Sequence, residues 1–276
     1  RSARPALLDQ LDGVIASMRL FAAALARPDG EPAPFNDAIP GLAPVLDLSP
    51  APTGLAVFAD TGYAVVREGP LWLAFDCGPC SPPFLPAHAH ADALSVQICW
   101  DGRPVVAEAG TSTYDAGLQR DRERSTAAHS TVTVGGRDQF RPWGAFRSGP
   151  LPRVRMLEAV PASGGLTGRL VAEARYGGVV HRRTVEWRVE ADAAPRAEVY
   201  VRDDVTGTAT GAVESRLLWA PGGPGPAVAE PEGGEVTVEQ GTVAESFGRI
   251  GQATVSVLRA PGGLPVTLGW TVRLPR

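Results

Sequence analysis

The sequence predicts a mainly β protein, an antiparallel β-sandwich preceded by a single helix. Three observations carry the prediction. Apolar residues alternate with period two from about Gly54 onward. Turn-forming residues, 32 glycines and 26 prolines in 276 residues, break that alternation at short intervals. No helical pattern separates successive strands, as the crossovers of a parallel sheet would require. With 44% hydrophobic residues the chain has material for a substantial core, in one large or two small domains.

The helix comes first. Over residues 4–27, Leu7, Leu8, Leu11, Val14, Ile15, Met18, Leu20, Phe21 and Leu25 fall at helical spacings. Gly30 and the proline-rich residues 32–40 end it. A lone amphipathic helix cannot bury its apolar face, so this one is expected to pack on another element, such as a helical domain that precedes it. Residues 56–58, 63–66 and 71–75 then read as successive short strands. Residues 94–98 alternate, and Asp101-Gly102 turns them into a strand at 104–107. A strand at 131–134 runs into Gly135-Gly136. Further strands are expected at 154–157, 170–174, 179–189, 197–201, 214–219, 235–239, 254–259 and 266–274. Residues 221–234, rich in glycine and proline, read as a surface loop, and no repeat recurs at a fixed period.

Charge and motifs exclude several classes. A formal net charge of −4 gives no global footprint for nucleic acid, although a local arginine patch can still bind an anionic polymer. Every basic residue apart from histidine is an arginine. No apolar run reaches the ~18–20 residues of a membrane span. No signal-peptide pattern opens the chain, which begins at Arg1 rather than Met. It therefore reads as a piece of a longer protein, and the missing leader says nothing about location. The cysteines are Cys77, Cys80 and Cys99. Cys77-Gly-Pro-Cys80 matches a thioredoxin motif in spelling alone, because Ser81-Pro82-Pro83 cannot open the helix that motif needs. It is expected to be a loop with two incidental thiols, and no second cysteine pair exists to complete a zinc ribbon.

Chemistry concentrates in one segment. Three of the four histidines, His88, His90 and His129, lie close together. On an extended His88-Ala89-His90-Ala91-Asp92 run, the three polar side chains project to one face. Glu108 ends the strand after the Asp101-Gly102 turn, and His129 precedes a third strand. Two imidazoles and a carboxylate from adjacent strands make a Zn²⁺ ligand set, with a further carboxylate or water as fourth ligand. H-x-H alone is a weak signal, since histidines at strand ends are often only hydrogen-bonded surface groups.

These residues belong to a longer pattern. The runs His88-Ala-His-Ala-Asp-Ala-Leu-Ser95, Glu108-Ala-Gly-Thr-Ser-Thr-Tyr114 and Arg124-Ser-Thr-Ala-Ala-His129-Ser-Thr-Val resemble the signature of the heparinase II/III-like C-terminal domain. Asp138-Gln139 and Trp143-Gly-Ala-Phe-Arg147 continue it, and Gly62-Tyr63 and Phe75-Asp-Cys-Gly78 match its lead-in. The resemblance covers about residues 15–190 well and the rest loosely. It implies a supersandwich-like β-domain at residues 41–276. Residues 1–40 would then be the last helix and linker of an N-terminal α/α toroid that is otherwise missing. The implied activity is β-elimination by a polysaccharide lyase on uronic-acid polysaccharide of heparin, heparan or alginate type, in a periplasmic or secreted bacterial setting. By the same resemblance His88 is the catalytic residue at the cleft, while His90, Glu108 and His129 bind a structural metal, zinc or another divalent ion. Glu108 stands where the family usually has Asp, and Ser130 where it usually has Asn, which bears on the geometry and identity of the metal.

β-Elimination at a uronate needs its carboxylate neutralised, the C5 proton removed and the leaving O4 protonated. A histidine titrating near neutrality suits the first or second task, which falls to His88. In the family a toroid tyrosine usually completes the site. Tyr114, the only tyrosine inside the signature, is a candidate for substrate binding and equally for packing at a strand end. Arg120, Arg122 and Arg124 alternate ahead of His129. They form either a guanidinium face for carboxylate or sulfate, with Arg124 the foremost substrate-binding candidate, or a solvated loop paired with Asp121 and Glu123. His181, Arg182 and Arg183 are expected on a strand exterior. Two other functions stay open. One is a non-catalytic carbohydrate-binding or structural β-sandwich with a bound metal, for which Trp143 is the evident aromatic platform. The other is a cupin-like metal hydrolase, whose glutamate normally follows H-x-H within a few residues, unlike Glu108.

Overall fold

The computed structural model describes residues 3–39, 41, 50–82, 84–163, 167–190 and 195–275, with side chains described from residue 8 onward. Helix α1 (Ala3–Leu25) occupies the predicted place. Its last turn docks by polar means: Trp72 Nε1 donates to the Ala24 carbonyl (3.2 Å), and Arg67 donates to the carbonyls of Ala23, Ala24 and Ala26. A guanidinium at a helix C-terminus satisfies orphan carbonyls and meets the negative end of the dipole. Upstream of that turn, Leu8, Leu11, Val14, Ile15, Met18 and Leu20 are all exposed.

The β-strands follow the predicted sequence closely. First come β1 (Gly54–Phe58), β2 (Tyr63–Glu68), β3 (Leu71–Asp76), β4 (Val96–Trp100) and β5 (Arg103–Val106). A short helix α2 (Leu118–Glu123) precedes β6 (Val132–Val134) and a two-residue pair, β7 (Pro142–Trp143) and β8 (Arg147–Ser148). Then come β9 (Arg153–Val160), β10 (Gly168–Tyr176), β11 (Val179–Glu190), β12 (Arg196–Gly207) and β13 (Val213–Trp219). The last are β14 (Ala229–Glu232), β15 (Glu235–Ser246), β16 (Arg249–Ala260) and β17 (Val266–Leu274).

Among the described residues every strand pairing is antiparallel. The larger sheet runs β1-β2-β3-β4-β5-β13-β16-β15, with β6 also paired to β13, and the smaller runs β14-β17-β12-β11-β10-β9. The main core lies between them, joining Leu71, Leu73, Phe75, Ile98 and Trp219 of the larger sheet to Leu170, Val185, Trp187, Val199 and Trp270 of the smaller. The other face of β2 and β3 is also covered. Val65, Trp72 and Ala74 pack with Ala24, Ala33 and Phe35, which explains why β3 reads as a continuous apolar run. The Asp101-Gly102 turn has φ of 47° and 77°, the left-handed pair that a two-residue hairpin requires.

Three expectations need correction. Part of the loop expected at 221–234 pairs with β17 as β14, at the sheet edge where its Pro231 is tolerated. Residues 118–123 are helical, not extended, so the alternation of Arg120, Arg122 and Arg124 does not make one face. His181 and Arg183 are fully buried, and only Arg182 between them points outward. The cause is Asp203, which stands directly across from Arg183 on β12 and is itself fully buried.

Candidate active site and metal centre

The site residues gather where β4, β5, β6 and β13 come together. His90 and Asp92 lie on the irregular segment before β4, Glu108 just after β5, and His129 just before β6. The segment at 89–94 is buried and pairs with no strand among the described residues; Ala91 N donates to the Arg124 carbonyl (3.0 Å), and side chains satisfy much of the rest. Asn36 Oδ1 accepts from His90 N (2.9 Å), and Arg124 Nε donates to the Ala89 carbonyl (3.1 Å). Gln139 grips Ala93 at both its N–H and its carbonyl (2.9 Å each), and Thr131 Oγ1 donates to the same carbonyl (2.7 Å). Leu94, with φ of 64°, presents its carbonyl to Arg183 Nη1 at 2.8 Å. That guanidinium also donates to the Ser130 carbonyl, so one buried arginine ties the His90–Asp92 segment to the His129 segment.

At the centre stands Asp37, a residue the sequence reading did not single out. It is bound by Arg120, whose Nη2 donates to Oδ2 at 2.7 Å while Nη1 donates to Oδ1. His90 Nε2 donates to Oδ1 (2.9 Å), Thr111 Oγ1 to Oδ1 (3.0 Å), and His88 Nδ1 to Oδ2 (2.8 Å). Burial alone would raise the Asp37 carboxyl, but His90 and Arg120 outweigh it and hold it well below the usual range. Asp37 arrives from the segment after α1, expected to be a linker, which Phe35 anchors by packing on Tyr63 (ring centroids 5.1 Å apart).

The predicted residues take distinct places. The His88 imidazole is 55% exposed, at the edge of a cavity of about 550 Å³ lined also by Phe21, Asn36, Tyr63, Pro82 and Leu85. With Nδ1 engaged by Asp37, its Nε2 is the nitrogen left for the cleft. Tyr114 is half-buried, its ring 6.3 Å from His88, and Arg120 lies over its face at 5.3 Å. Burial, then the nearby Asp37 carboxylate, raise its hydroxyl above the usual value, so it is a proton-bearing donor at neutral pH. Arg124 is fully buried beneath the site, bonded to the carbonyls of Ala89, Gly144 and Ala145. The structure thus gives Arg124 a supporting position, and the arginine at the centre is Arg120. Glu123 pairs with neither; it accepts from Ser112 N (3.0 Å) and Gln119 Nε2 (2.8 Å).

Beneath His88 the structure brings His90, Asp92 and His129 together, one ligand atom of each lying within 4.8 Å of the others. All are buried, and among the described residues His90 Nδ1, His129 Nε2 and both oxygens of Asp92 have no hydrogen-bond partner. Glu108 places Oε2 against His129 Nδ1 and leaves Oε1 buried and unpartnered. Asp92 therefore joins the predicted set, and Glu108 takes the position of a carboxylate that orients a ligating histidine. Burial pushes Asp92 up to about 7, and burial together with the charge of Asp92 raises Asp76 well above its usual value. Burial also lowers His90, to about 3, so it is neutral, with its proton on Nε2 toward Asp37 and a free lone pair on Nδ1. His129 behaves oppositely: burial disfavours its charge, but Glu108 outweighs burial and raises it to about 9. The buried Asp92 carboxylate lacks a counter-charge, and with His90 Nδ1 and His129 Nε2, which would give up its proton on metal binding, it fits a divalent cation such as zinc.

The thiols are uninvolved. Cys77, Cys80 and Cys99 are free and buried, and burial pushes Cys99 up to about 12 and raises Cys77 and Cys80 as well.

Comparison with curated protein sequences finds no match. Solved structures do resemble this chain. A heparinase III gene product aligns over 97% of it with a TM-score of 0.77 at 16% identity, and a second heparinase III over 95% with 0.74 at 14%. The heparan sulfate lyase of Pedobacter heparinus aligns over 92% with a TM-score of 0.68 at 13% identity. The chain spans just under half the length of each, 47%, 48% and 45% respectively. At these identities the likeness establishes the fold. The family follows from a sequence model, heparinase II/III-like, C-terminal, which matches residues 50–275. A chain with this signature, this fold and that match over most of its length belongs to the heparinase II/III-like C-terminal family.

Proposed function

We propose that this chain forms one wall of a polysaccharide lyase cleft, acting by β-elimination on a uronic-acid-containing polysaccharide of the heparan or alginate type. The observation that carries the reading is the pairing of a half-exposed His88 with buried Asp37, which Arg120 and His90 hold from behind. Asp37 fixes the His88 ring and its tautomer, leaving Nε2 toward the cleft as a base or as a donor to the uronate carboxylate. Tyr114, protonated beside it, donates a hydrogen bond to substrate. The acid for the leaving O4 would come from the helical domain with which such β-domains are joined. The exposed apolar side chains of α1, from Leu8 to Leu20, are a natural seat for that domain.

Under this reading His90, Asp92 and His129, with Glu108 behind His129, hold a divalent ion, zinc being the best match to the donors. Its contribution is charge compensation and rigidity beneath His88. A periplasmic or secreted location suits a polymeric substrate; among the described residues no helix is long and apolar enough to cross a membrane.

The test is the absorbance of unsaturated uronate released from heparin, heparan and alginate. Turnover is expected from the chain joined to its helical domain and lost with His88→Ala, while the 276-residue chain alone shows little. Robust turnover that survives His88→Ala, or binding of all three polymers without any elimination, would overturn it, the second in favour of a carbohydrate-binding module.

A further inference from the structure

Two hairpin tips from outside the His88 segment reach the His88 and Tyr114 rings, and each carries an exposed phenylalanine. The β7–β8 tip brings Phe146 to 6.1 Å from the His88 ring and 5.6 Å from Tyr114. The β15–β16 tip brings the Phe247 ring to 5.6 Å from that of Tyr114. His88, Tyr114 and Phe146 thus form a triangle of mutually touching rings, and Phe247 joins it at Tyr114. Phe146 is 44% and Phe247 48% exposed, far more than core aromatics of this protein such as Phe75 or Trp187.

Neither tip is loosely placed. Arg120 Nε donates to the Ala145 carbonyl (3.1 Å), and Arg124 Nη1 to those of Gly144 and Ala145 (3.3 and 3.2 Å). The β15–β16 tip is bound at two points, Ala244 N to the Ala109 carbonyl (2.7 Å) and Gly248 N to the Ser112 carbonyl (2.8 Å). The arginine that clamps Asp37 therefore also sets the Phe146 tip, and it lies over both the Tyr114 and Phe146 rings, at 5.3 and 5.8 Å. Half-exposed aromatics on anchored turns, beside a few convergent polar groups, are the composition of a binding surface rather than of a core. A pyranose ring is complementary to such a surface. Its axial C–H bonds carry partial positive charge and meet the negative face of an aromatic ring, while its hydroxyl and carboxylate edge stays free for polar partners.

We propose that Phe146 and Phe247 are sugar-stacking residues beside the His88–Tyr114 position, binding pyranose rings adjacent to the sugar whose carboxylate meets His88. The assignment rests on the uronate reading above and extends it from one sugar to neighbouring subsites. Phe247 lies well beyond the signature motifs, in a hairpin that only the fold brings to the cleft.

The test is calorimetric binding of uronate hexasaccharides of the heparan-backbone and alginate types, each used native and after reduction of its carboxylates. Phe247→Ala and Phe146→Ala are each expected to weaken binding about tenfold, by a similar factor for native and reduced sugar, as loss of one stacking contact predicts. Phe247→Trp is expected to retain binding, and circular dichroism to show all three variants folded. Unchanged affinity in folded Phe247→Ala would overturn the stacking assignment. The carboxylate reading is judged on a separate axis: reduction of the sugar must weaken binding to the unmodified protein. If it does not while Phe247→Ala still does, the uronate reading falls and the aromatic subsites stand. If no hexasaccharide binds, both fall.

Discussion

Replacing Arg183 with methionine probes the buried network that ties the two site segments together. Arg183 Nε and Nη2 form a bidentate pair with Asp203 (2.7 and 2.9 Å), and Nη1 donates to the carbonyls of Leu94 and Ser130. His181 Nε2 (2.7 Å) and Ser215 Oγ (2.6 Å) complete the shell around Asp203, and Trp270 Nε1 in turn donates to Ser215 (3.0 Å). Methionine keeps the stem volume and removes every donor. Asp203 would be left buried without its main counter-charge, a loss of roughly 3–5 kcal/mol. For a chain of this size that corresponds to about 5–9 °C in Tm.

The loss should also depend on pH, with a definite sign. In the unmodified protein burial, aided by Arg183, lowers the His181 pKa below the unfolded value of about 6.5. The unfolded chain then binds a proton that the folded chain rejects, so this group's contribution to stability falls as pH drops below about 6.5. Burial would raise Asp203, but Arg183 and His181 hold it well below the usual range, so its contribution is intact until pH approaches about 4. Without Arg183, protonated His181 becomes the partner of Asp203 and its pKa rises. The variant should thus lose stability as pH rises through neutrality. Denaturant unfolding at pH 8 and pH 6 should show the gap to the unmodified protein widest at pH 8 and narrower at pH 6. A gap below about 1 kcal/mol at pH 8, or one that does not narrow, would refute the reasoning.

Two further outcomes follow from the same kind of argument. Asp37→Asn removes the counter-charge of buried Arg120 and the partner of His88, so it should lower the unfolding free energy by about 3–5 kcal/mol; a denaturant midpoint unchanged from the unmodified protein would contradict the central place given to Asp37. All three thiols should resist a thiol reagent in the native state and react only on unfolding, because each is buried and held protonated; rapid labelling of Cys77 or Cys80 in the folded protein would contradict that.

The strands were legible because both sheets obey a period of two, and β3 because both its faces are covered. The His88–His129 segment was legible as a motif. What surrounds it was not, for identifiable reasons. Asp37 comes from a proline-flanked stretch with no periodicity, and only the docking of Phe35 and Ala33 brings it under His90. Arg120 and Arg124 share one buried side because α2 is helical, and Gly117 before it offers no side-chain cap to announce a helix. Arg183 looked solvent-facing because a charged residue can be buried only when its partner is known, and Asp203 stands across a strand pairing, not nearby in sequence. The spacing puts Asp92 on one face with the histidines, but its depth and lack of a side-chain partner among the described residues, which make it a ligand candidate, appear only in three dimensions.

Metal analysis of the purified chain tests most directly whether the buried cluster of imidazoles and carboxylates beneath His88 carries a cation. About one equivalent of a divalent ion, zinc by the donor set, is expected per chain. It should be lost in His90→Ala and in Asp92→Ala. Folded, unmodified protein that holds no divalent ion, even after incubation with zinc and desalting, would contradict it.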